Sequence, residues 1–313
     1  MDSDLRSILN VDFFQNWESY IGLVKAYVMK GNASQDYKNS FFLEDNHIRN
    51  RNHIPWKHWR ASGREGFHGL TREGGFMAPY VLAPQQTSKT IAYAVGFYNN
   101  IGSYVIGKVW ETGQPDTTFF NNNTFPEGSV SAKLLFVDLD EKQVPYLVNP
   151  IECKAYIYEC DSMESTQSCD SDPKVLQQSK RIVRNLRLLQ MDILVRDNRA
   201  KATGWAAGTF VYNGKLNKEN RRDNLVPVGL MWGNDPDKRK SFVNDKVTET
   251  IINPDLKETV INKSSDLPAA HLGWSGRLNG PADNPASSCI SCHQTAQYPP
   301  VSAIMPFLNK APL

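Results

Sequence analysis

Apolar and polar positions along this chain follow two different periods, and the period changes mark the elements. Phe13, Trp17, Tyr20, Ile21, Val24, Tyr27 and Val28 recur every three or four residues, which predicts one buried face of a helix that Gly31 can stop. Four later runs, Ile91–Tyr98, Tyr104–Trp110, Val130–Val137 and Leu188–Arg196, are dense in β-branched and aromatic residues and predict strands. Gly204–Tyr212 and Val226–Met231 predict two more. Asn99-Asn100-Ile101-Gly102 reads as a hairpin-like turn between the first two runs, and Phe125-Pro126-Glu127-Gly128 as a turn feeding the third. A further helix is predicted with Asp172 as N-cap, Pro173 at its first position, and Val175, Leu176, Ile182, Val183 and Leu186 as its apolar stripe.

From about Pro236 to His271 the chain is charged and polar and reads as an excursion from the core, and its last forty residues are rich in Gly, Pro and Asn. No internal repeat is visible. The pattern predicts an α+β fold: an antiparallel β-sheet core, a few packing helices and a loop-rich C-terminal segment. Two segments are expected. Residues 1–85 form a helical and aromatic extension and residues 86–313 a β-rich domain, the two able to make one compact unit.

Charge excludes more than it suggests. Thirty-five basic and 33 acidic residues, well mixed, leave a net charge of +2. That is no footprint for nucleic acid or an anionic membrane surface. No apolar run approaches the roughly 18–20 residues that span a bilayer, so no transmembrane segment is expected.

The candidate chemistry lies near the C-terminus, where Cys289-Ile290-Ser291-Cys292-His293 has the spacing of a c-type haem attachment site. Each thiol adds across one porphyrin vinyl group, and the adjacent imidazole reaches the iron as proximal ligand. Cys289, Cys292 and His293 are therefore the expected haem c anchors, one haem per chain, with His293 as the metal ligand. Two plainer readings stand beside this one. Zinc needs a second ligand pair, and no other Cys-x-x-Cys or His-x-x-x-His occurs in the chain. A redox dithiol sits at the start of a helix after a strand, whereas Pro285-Ala286-Ser287-Ser288 reads as loop.

Haem attachment of this kind normally takes place outside the cytoplasmic membrane, so a periplasmic or secreted protein is expected. Residues 1–31 lack a continuous apolar centre and a small-residue cleavage site, so an export signal is expected upstream of Met1. An oxidising compartment makes a Cys160–Cys169 disulfide plausible, although the pairing of Cys153, Cys160 and Cys169 cannot be read from the sequence. Arg277, close to the attachment loop, and the turn Asn279-Gly280-Pro281 are candidates to meet the haem propionates; the alternative for Arg277 is a surface arginine. The sixth iron position decides function: filled by a strong ligand the protein carries electrons, open it binds or transforms small molecules. Met305, twelve residues past His293, is poorly tethered to reach it. His53, His58, His68 and His271 are the other candidates, each equally readable as a buried, hydrogen-bonded histidine.

Three ordered pieces carry a family resemblance: Phe125–Lys133, then Val195-Arg196-Asp197 continuing through Ala202–Phe210, then the C-terminal Cys-x-x-Cys-His. Together these segments resemble the β-sheet monohaem c-type cytochromes, the family of cytochrome P-four-sixty and cytochrome c-prime-beta, over about residues 90–300. Gly63–Thr71 and Arg277–His293 are similar to segments of a larger proteobacterial cytochrome-c-like branch. The resemblance implies a role in electron transfer to a redox partner protein, or in binding a small gaseous or nitrogenous ligand such as NO. It also leaves open an oxidoreductase acting on hydroxylamine or peroxide, and a non-enzymatic binding or scaffold protein with a structural haem. Family enzymes use a lysine bonded to the porphyrin edge, which Lys133 matches; the plain alternative is a strand lysine facing solvent. They also use an acidic residue for proton transfer, and none follows His293. Gas-binding relatives line the iron's open side with aromatic rings, for which Phe97, Trp205, Phe210 and Trp232 are candidates.

Overall fold

A computed structural model describes residues 3–30, 52–53, 65–114, 116–166, 169, 173–233, 248–255 and 278–282. Two helices, α1 (Ser3–Asn10) and α2 (Trp17–Met29), open the chain. The strands β1 (Asn52–His53), β2 (Thr71–Met77) and β3 (Thr90–Tyr98) follow, then helix α3 (Asn100–Val109). After them come β4 (Val130–Val137), β5 (Glu152–Tyr158), α4 (Pro173–Gln178) and β6 (Arg181–Arg196). The last strands are β7 (Trp205–Tyr212), β8 (Leu225–Met231) and β9 (Thr250–Ile252). All nine strands join one antiparallel sheet in the order β1-β3-β4-β6-β7-β8-β9, with β2 also paired to β3 and β5 to β6. This is the α+β arrangement that the pattern predicts. Among the described residues no helix is long and apolar enough to cross a membrane.

Period-two alternation gives the sheet two different faces. Phe97, Ala132, Ile193 and Leu230 stand in one cross-strand row with Gly208 and are buried in the main core. Helix α2 covers this face. Gly208 makes that possible, since a Cβ there would lie 2.7 Å from Ile21 Cδ1. Trp17, Tyr20, Ile21, Val24, Tyr27 and Val28 are all buried, as their spacing predicts. Residues on both sides of position 85 share this core, and β2 pairs directly with β3 across it.

Polar pins hold the cover in place. Asp197 is fully buried at the end of β6; it accepts from Tyr20 Oη at 3.1 Å and from two guanidinium nitrogens of Arg199 at 2.9 and 2.6 Å. At the other end of α2, Tyr27 Oη accepts from Asn99 Nδ2 at 3.1 Å. The same buried Asn99 caps α3 by accepting from Gly102 N and also accepts from Val130 N, both at 3.0 Å.

That cap is where sequence reading and structure part. Tyr104–Trp110 is helix, and Asn99-Asn100-Ile101-Gly102 is its start rather than a hairpin turn. Ile101, Val105 and Val109, four residues apart, supply the inward stripe, while Tyr104 and Trp110 face solvent. β-branched content outweighed that spacing in the sequence. The helix after Asp172 is also shorter than predicted: α4 ends at Gln178, and Ile182, Val183 and Leu186 belong to β6, which runs sixteen residues. Asp172 itself lies outside the described residues. Within the polar excursion, Thr250–Ile252 forms the edge strand β9.

Cys160 and Cys169 are joined in a disulfide, and Cys153 is a buried free thiol. Next to the disulfide, the buried Asp161 accepts from Arg72 Nε at 2.7 Å, Arg72 Nη2 at 3.0 Å and Tyr93 Oη at 2.7 Å, locking β2 and β3 to the residues after β5.

Burial alone would raise the Asp197 carboxyl pKa, but hydrogen bonds from Arg199 and Tyr20 prevail and hold it below the usual value. A depressed folded value stabilises the fold above the unfolded pKa of about 3.9, and the contribution is lost as pH falls through the folded value. Thermal melts should therefore show Tm dropping below about pH 4, whereas Asp197→Asn should lower Tm at neutral pH and flatten that acid limb. Burial, aided by the charges of Glu65 and Glu152, pushes the Cys153 thiol far above its ordinary range. Iodoacetamide should leave Cys153 unlabelled until the protein is unfolded, and label Cys160 and Cys169 only after reduction as well. Removing the disulfide with Cys160→Ser and Cys169→Ser should cost roughly 2–3 kcal/mol in denaturant unfolding.

Candidate functional site

The second face of the sheet carries the polar chemistry. Strand β6 reads Leu189-Gln190-Met191-Asp192-Ile193, so two polar side chains on one face interrupt an apolar strand. Strand pairing aligns Gly96, Lys133, Asp192, Thr209 and Gly229 in one row across β3, β4, β6, β7 and β8. In the row, Asp192 Oδ1 accepts from Thr209 Oγ1 at 2.9 Å, and from Gln190 Nε2, one step along β6, also at 2.9 Å. Lys133 Nζ stands 3.9 Å from Asp192 Oδ2, with its side chain only 25 % exposed. Lys133 is thus a largely covered cation facing a buried carboxylate rather than a solvent-facing strand residue.

Residues 278–282 lie on this face. Gln190, fully buried, uses its amide twice more: Nε2 donates to Asn279 O at 3.0 Å, and Oε1 accepts from Ala282 N at 3.1 Å. Leu278, with a left-handed φ of 59°, is buried among Ala207, Val211, Val226, Val228 and Met231. Gly229 makes room for it, since a Cβ there would come within 2.8 Å of Leu278 Cδ1. At Gly280, where φ is +65°, a Cβ would lie 2.3 Å from Gln190 Oε1. The turn Asn279-Gly280-Pro281 is therefore seated on the sheet through backbone contacts that tolerate no side chain at its centre.

One flank of the face is aromatic. Trp205, paired with Arg196, meets the Phe125 ring at 5.4 Å between centroids, and Phe125 meets Phe120 at 5.8 Å. Of the four predicted aromatic candidates only Trp205 shares the face of Lys133. Phe97 and Phe210 are buried in the core on the opposite side, and Trp232 packs against Phe13 and Phe14. Tyr98 and Ser131 occupy the neighbouring row on the Lys133 face; burial pushes the Tyr98 hydroxyl pKa up, opposed by its hydrogen bond with Ser131.

Cys289, Cys292, His293 and Arg277 lie outside the described residues, as do His58, His271 and Met305, and for His53 only the backbone in β1 is described. His68 is half-buried in the turn leading to β2. That turn is organised by the buried Glu65 carboxylate, which accepts from the backbone amides of Phe67, His68, Leu70 and, in β5, Tyr156. A polar cleft of about 400 Å³ lined by Asn149, Lys218, Glu219 and Arg221 includes no residue of the Lys133 row. Cys160, Asp161 and Cys169 cluster closely enough for a metal, but their thiols are consumed by the disulfide.

Comparison with family models, with curated proteins and with solved structures finds no match for this chain.

Sequence reasoning missed Gln190, Asp192 and Thr209. The readable signal was the polar pair at i and i+2 inside an apolar strand, which alternation alone places on one face. Thr209 had no such signal, because threonine is an ordinary strand residue.

The arrangement ranks two substitutions. Asp192→Ala strips a partly covered ammonium of its counter-charge and two donors of their acceptor, so urea unfolding should show a loss of about 2–4 kcal/mol. Lys133→Met leaves Asp192 its bonds from Gln190 and Thr209 and should cost about 1 kcal/mol. A loss in Lys133→Met as large as in Asp192→Ala would mean that the bonds from Gln190 and Thr209 do not hold Asp192 without its counter-charge.

Proposed function

We propose that this protein is an exported monohaem c-type cytochrome built on an antiparallel sheet, serving electron transfer or the binding of a small NO-type ligand. In this reading Cys289 and Cys292 hold haem c as thioethers, His293 is the proximal ligand, Arg277 meets a propionate, and Lys133 faces the bound group from the sheet. When bound, the haem supplies a one-electron iron centre and a position for a diatomic or nitrogenous ligand. The remaining work belongs to the chain: Asp192 supplies the counter-charge beside the Lys133 ammonium, and Trp205 and Phe125 pack together at one flank of the same face.

The observation that carries the proposal is the attachment signature together with the seating of the chain just ahead of it. Ala282 is fixed on Gln190, and six residues separate it from Cys289. Even fully extended, the seven Cα–Cα steps from Ala282 to Cys289 span no more than roughly 25 Å, which bounds the tether between the Gln190 contact and the attachment signature. That face offers the reading a polar centre, Lys133 beside Asp192, next to the seated turn. The Cys160–Cys169 disulfide supports an oxidising compartment, hence a periplasmic or secreted location.

Asp192 favours a second reading, an oxidoreductase acting on hydroxylamine or peroxide. The proton-transferring acid absent after His293 is available beside Lys133.

Expression in a host that exports and matures c-type cytochromes tests both. A covalent haem on the peptide holding Cys289 and Cys292, lost in Cys289→Ser with Cys292→Ser, is expected. Unmodified thiols there would overturn the proposal. Sharp α and β bands in the reduced spectrum indicate electron transfer, and a broad Soret that shifts with CO or NO indicates ligand binding. Turnover of hydroxylamine or peroxide that disappears in Asp192→Asn indicates the enzyme.

A further inference from the structure

We infer that Gln190 is a positioning residue: its single buried amide couples the Lys133–Asp192 pair to residues 278–282 and so sets how that turn is seated beside the pair. The part of this inference that concerns bound haem rests on the function proposed above; the coupling itself does not.

Gln190 Nε2 has two hydrogens, and both are committed, one to Asp192 Oδ1 at 2.9 Å and one to Asn279 O at 3.0 Å. Its Oε1 takes the amide of Ala282 at 3.1 Å. The amide plane is rigid, so a rotation that breaks the bond to Asp192 also disturbs both bonds to the 278–282 segment. Leucine or methionine fills the same space but makes none of these bonds. Glutamate has no hydrogen to give Asp192 and adds a like charge beside it. Gly280 completes the device from the other side, because any Cβ there drives into the Gln190 amide at 2.3 Å. Leu278 seats the turn through apolar contacts, which give it affinity for the sheet but leave its rotation on the sheet free.

The test uses the full chain, with and without haem, in four forms: natural, Gln190→Met, Gly280→Ala and the double variant. Hydrogen exchange of the Ala282 amide reports docking and needs no haem. Protection is expected to fall at least tenfold in each single variant, with backbone strain at φ +65° adding to the contact in Gly280→Ala, and the double variant to fall by clearly less than the product of the two single losses, as a shared contact requires. Thr209→Val is the control, because it removes a bond to Asp192 while leaving the segment's own contacts, and should keep Ala282 protected. Far-UV circular dichroism confirms that each variant folds. In haem-loaded protein, Gln190→Met should shift the Soret band or the reduction potential in the same direction as Asp192→Asn, an effect that loosening the segment elsewhere would not produce. Unchanged Ala282 protection in Gln190→Met, or additive losses in the double variant, would overturn the coupling. Loss of protection in a chain that never acquires haem would keep the coupling and sink the haem reading instead.

Discussion

A carboxylate in the middle of a nine-stranded sheet has to be compensated where it stands, and much of this molecule follows from how Asp192 is compensated. Removing a charged carboxylate from water costs several kcal/mol, recovered only through well-placed donors and a counter-charge. Thr209 on β7, Gln190 on β6 and Lys133 on β4 provide them, so the ion and its partners cross three adjacent strands. Register becomes strict as a result. A one-residue slip of β6 would turn Asp192 into the face that holds Phe97, Ala132 and Leu230, and expose Ile193 in its place.

The opposite face obeys the same logic with different residues. Apolar contact drives α2 onto the sheet, but contact area alone does not fix its rotation. Tyr20 bonded to Asp197 at one end and Tyr27 bonded to Asn99 at the other do so. Asp161 with Arg72 and Tyr93, and Glu65 with four backbone amides, repeat the device at the β2–β3–β5 corner. Each pin ties together segments far apart in sequence, where long polar connections leave the chain little local guidance.

Legibility in the sequence tracks how local each determinant is. Val130–Val137 was readable to the residue because its apolar content and the preceding Gly128 turn are both local, and the stripe on Trp17–Val28 was readable for the same reason. Tyr104–Trp110 was misread because the decisive feature, the Asn99 side chain capping α3 while also holding Val130, joins two segments. Leu188–Arg196 was recognised but cut short, since the first half of β6 is stabilised by β5, more than twenty residues earlier. In the site, Lys133 was identified through a resemblance, whereas its partner Asp192 depends on a pairing of strands sixty residues apart that no motif encodes. The attachment signature shows the reverse case, fully legible as spacing while its residues lie outside those described.

The Lys133–Asp192 pair also bears on which chemistry this face can support. An amine attacks carbon only through its lone pair, and an ammonium has none to offer. A carboxylate oxygen 3.9 Å away gives the ammonium form of Lys133 a counter-charge. In that form the side chain can donate hydrogen bonds, as the proposed binding of a negatively polarised ligand would require. A covalent bond from Lys133 to a porphyrin edge would first require its proton to leave, and Asp192, already accepting from Gln190 and Thr209, is the nearby base. One residue thus stands between two outcomes. Under the proposed function, an ammonium at Lys133 would steady a ligand, and a nucleophile would appear only if its proton passed to Asp192. Its Oδ1 is already engaged by Gln190 and Thr209, so Oδ2, the oxygen nearer Lys133, is the atom on which either outcome would turn.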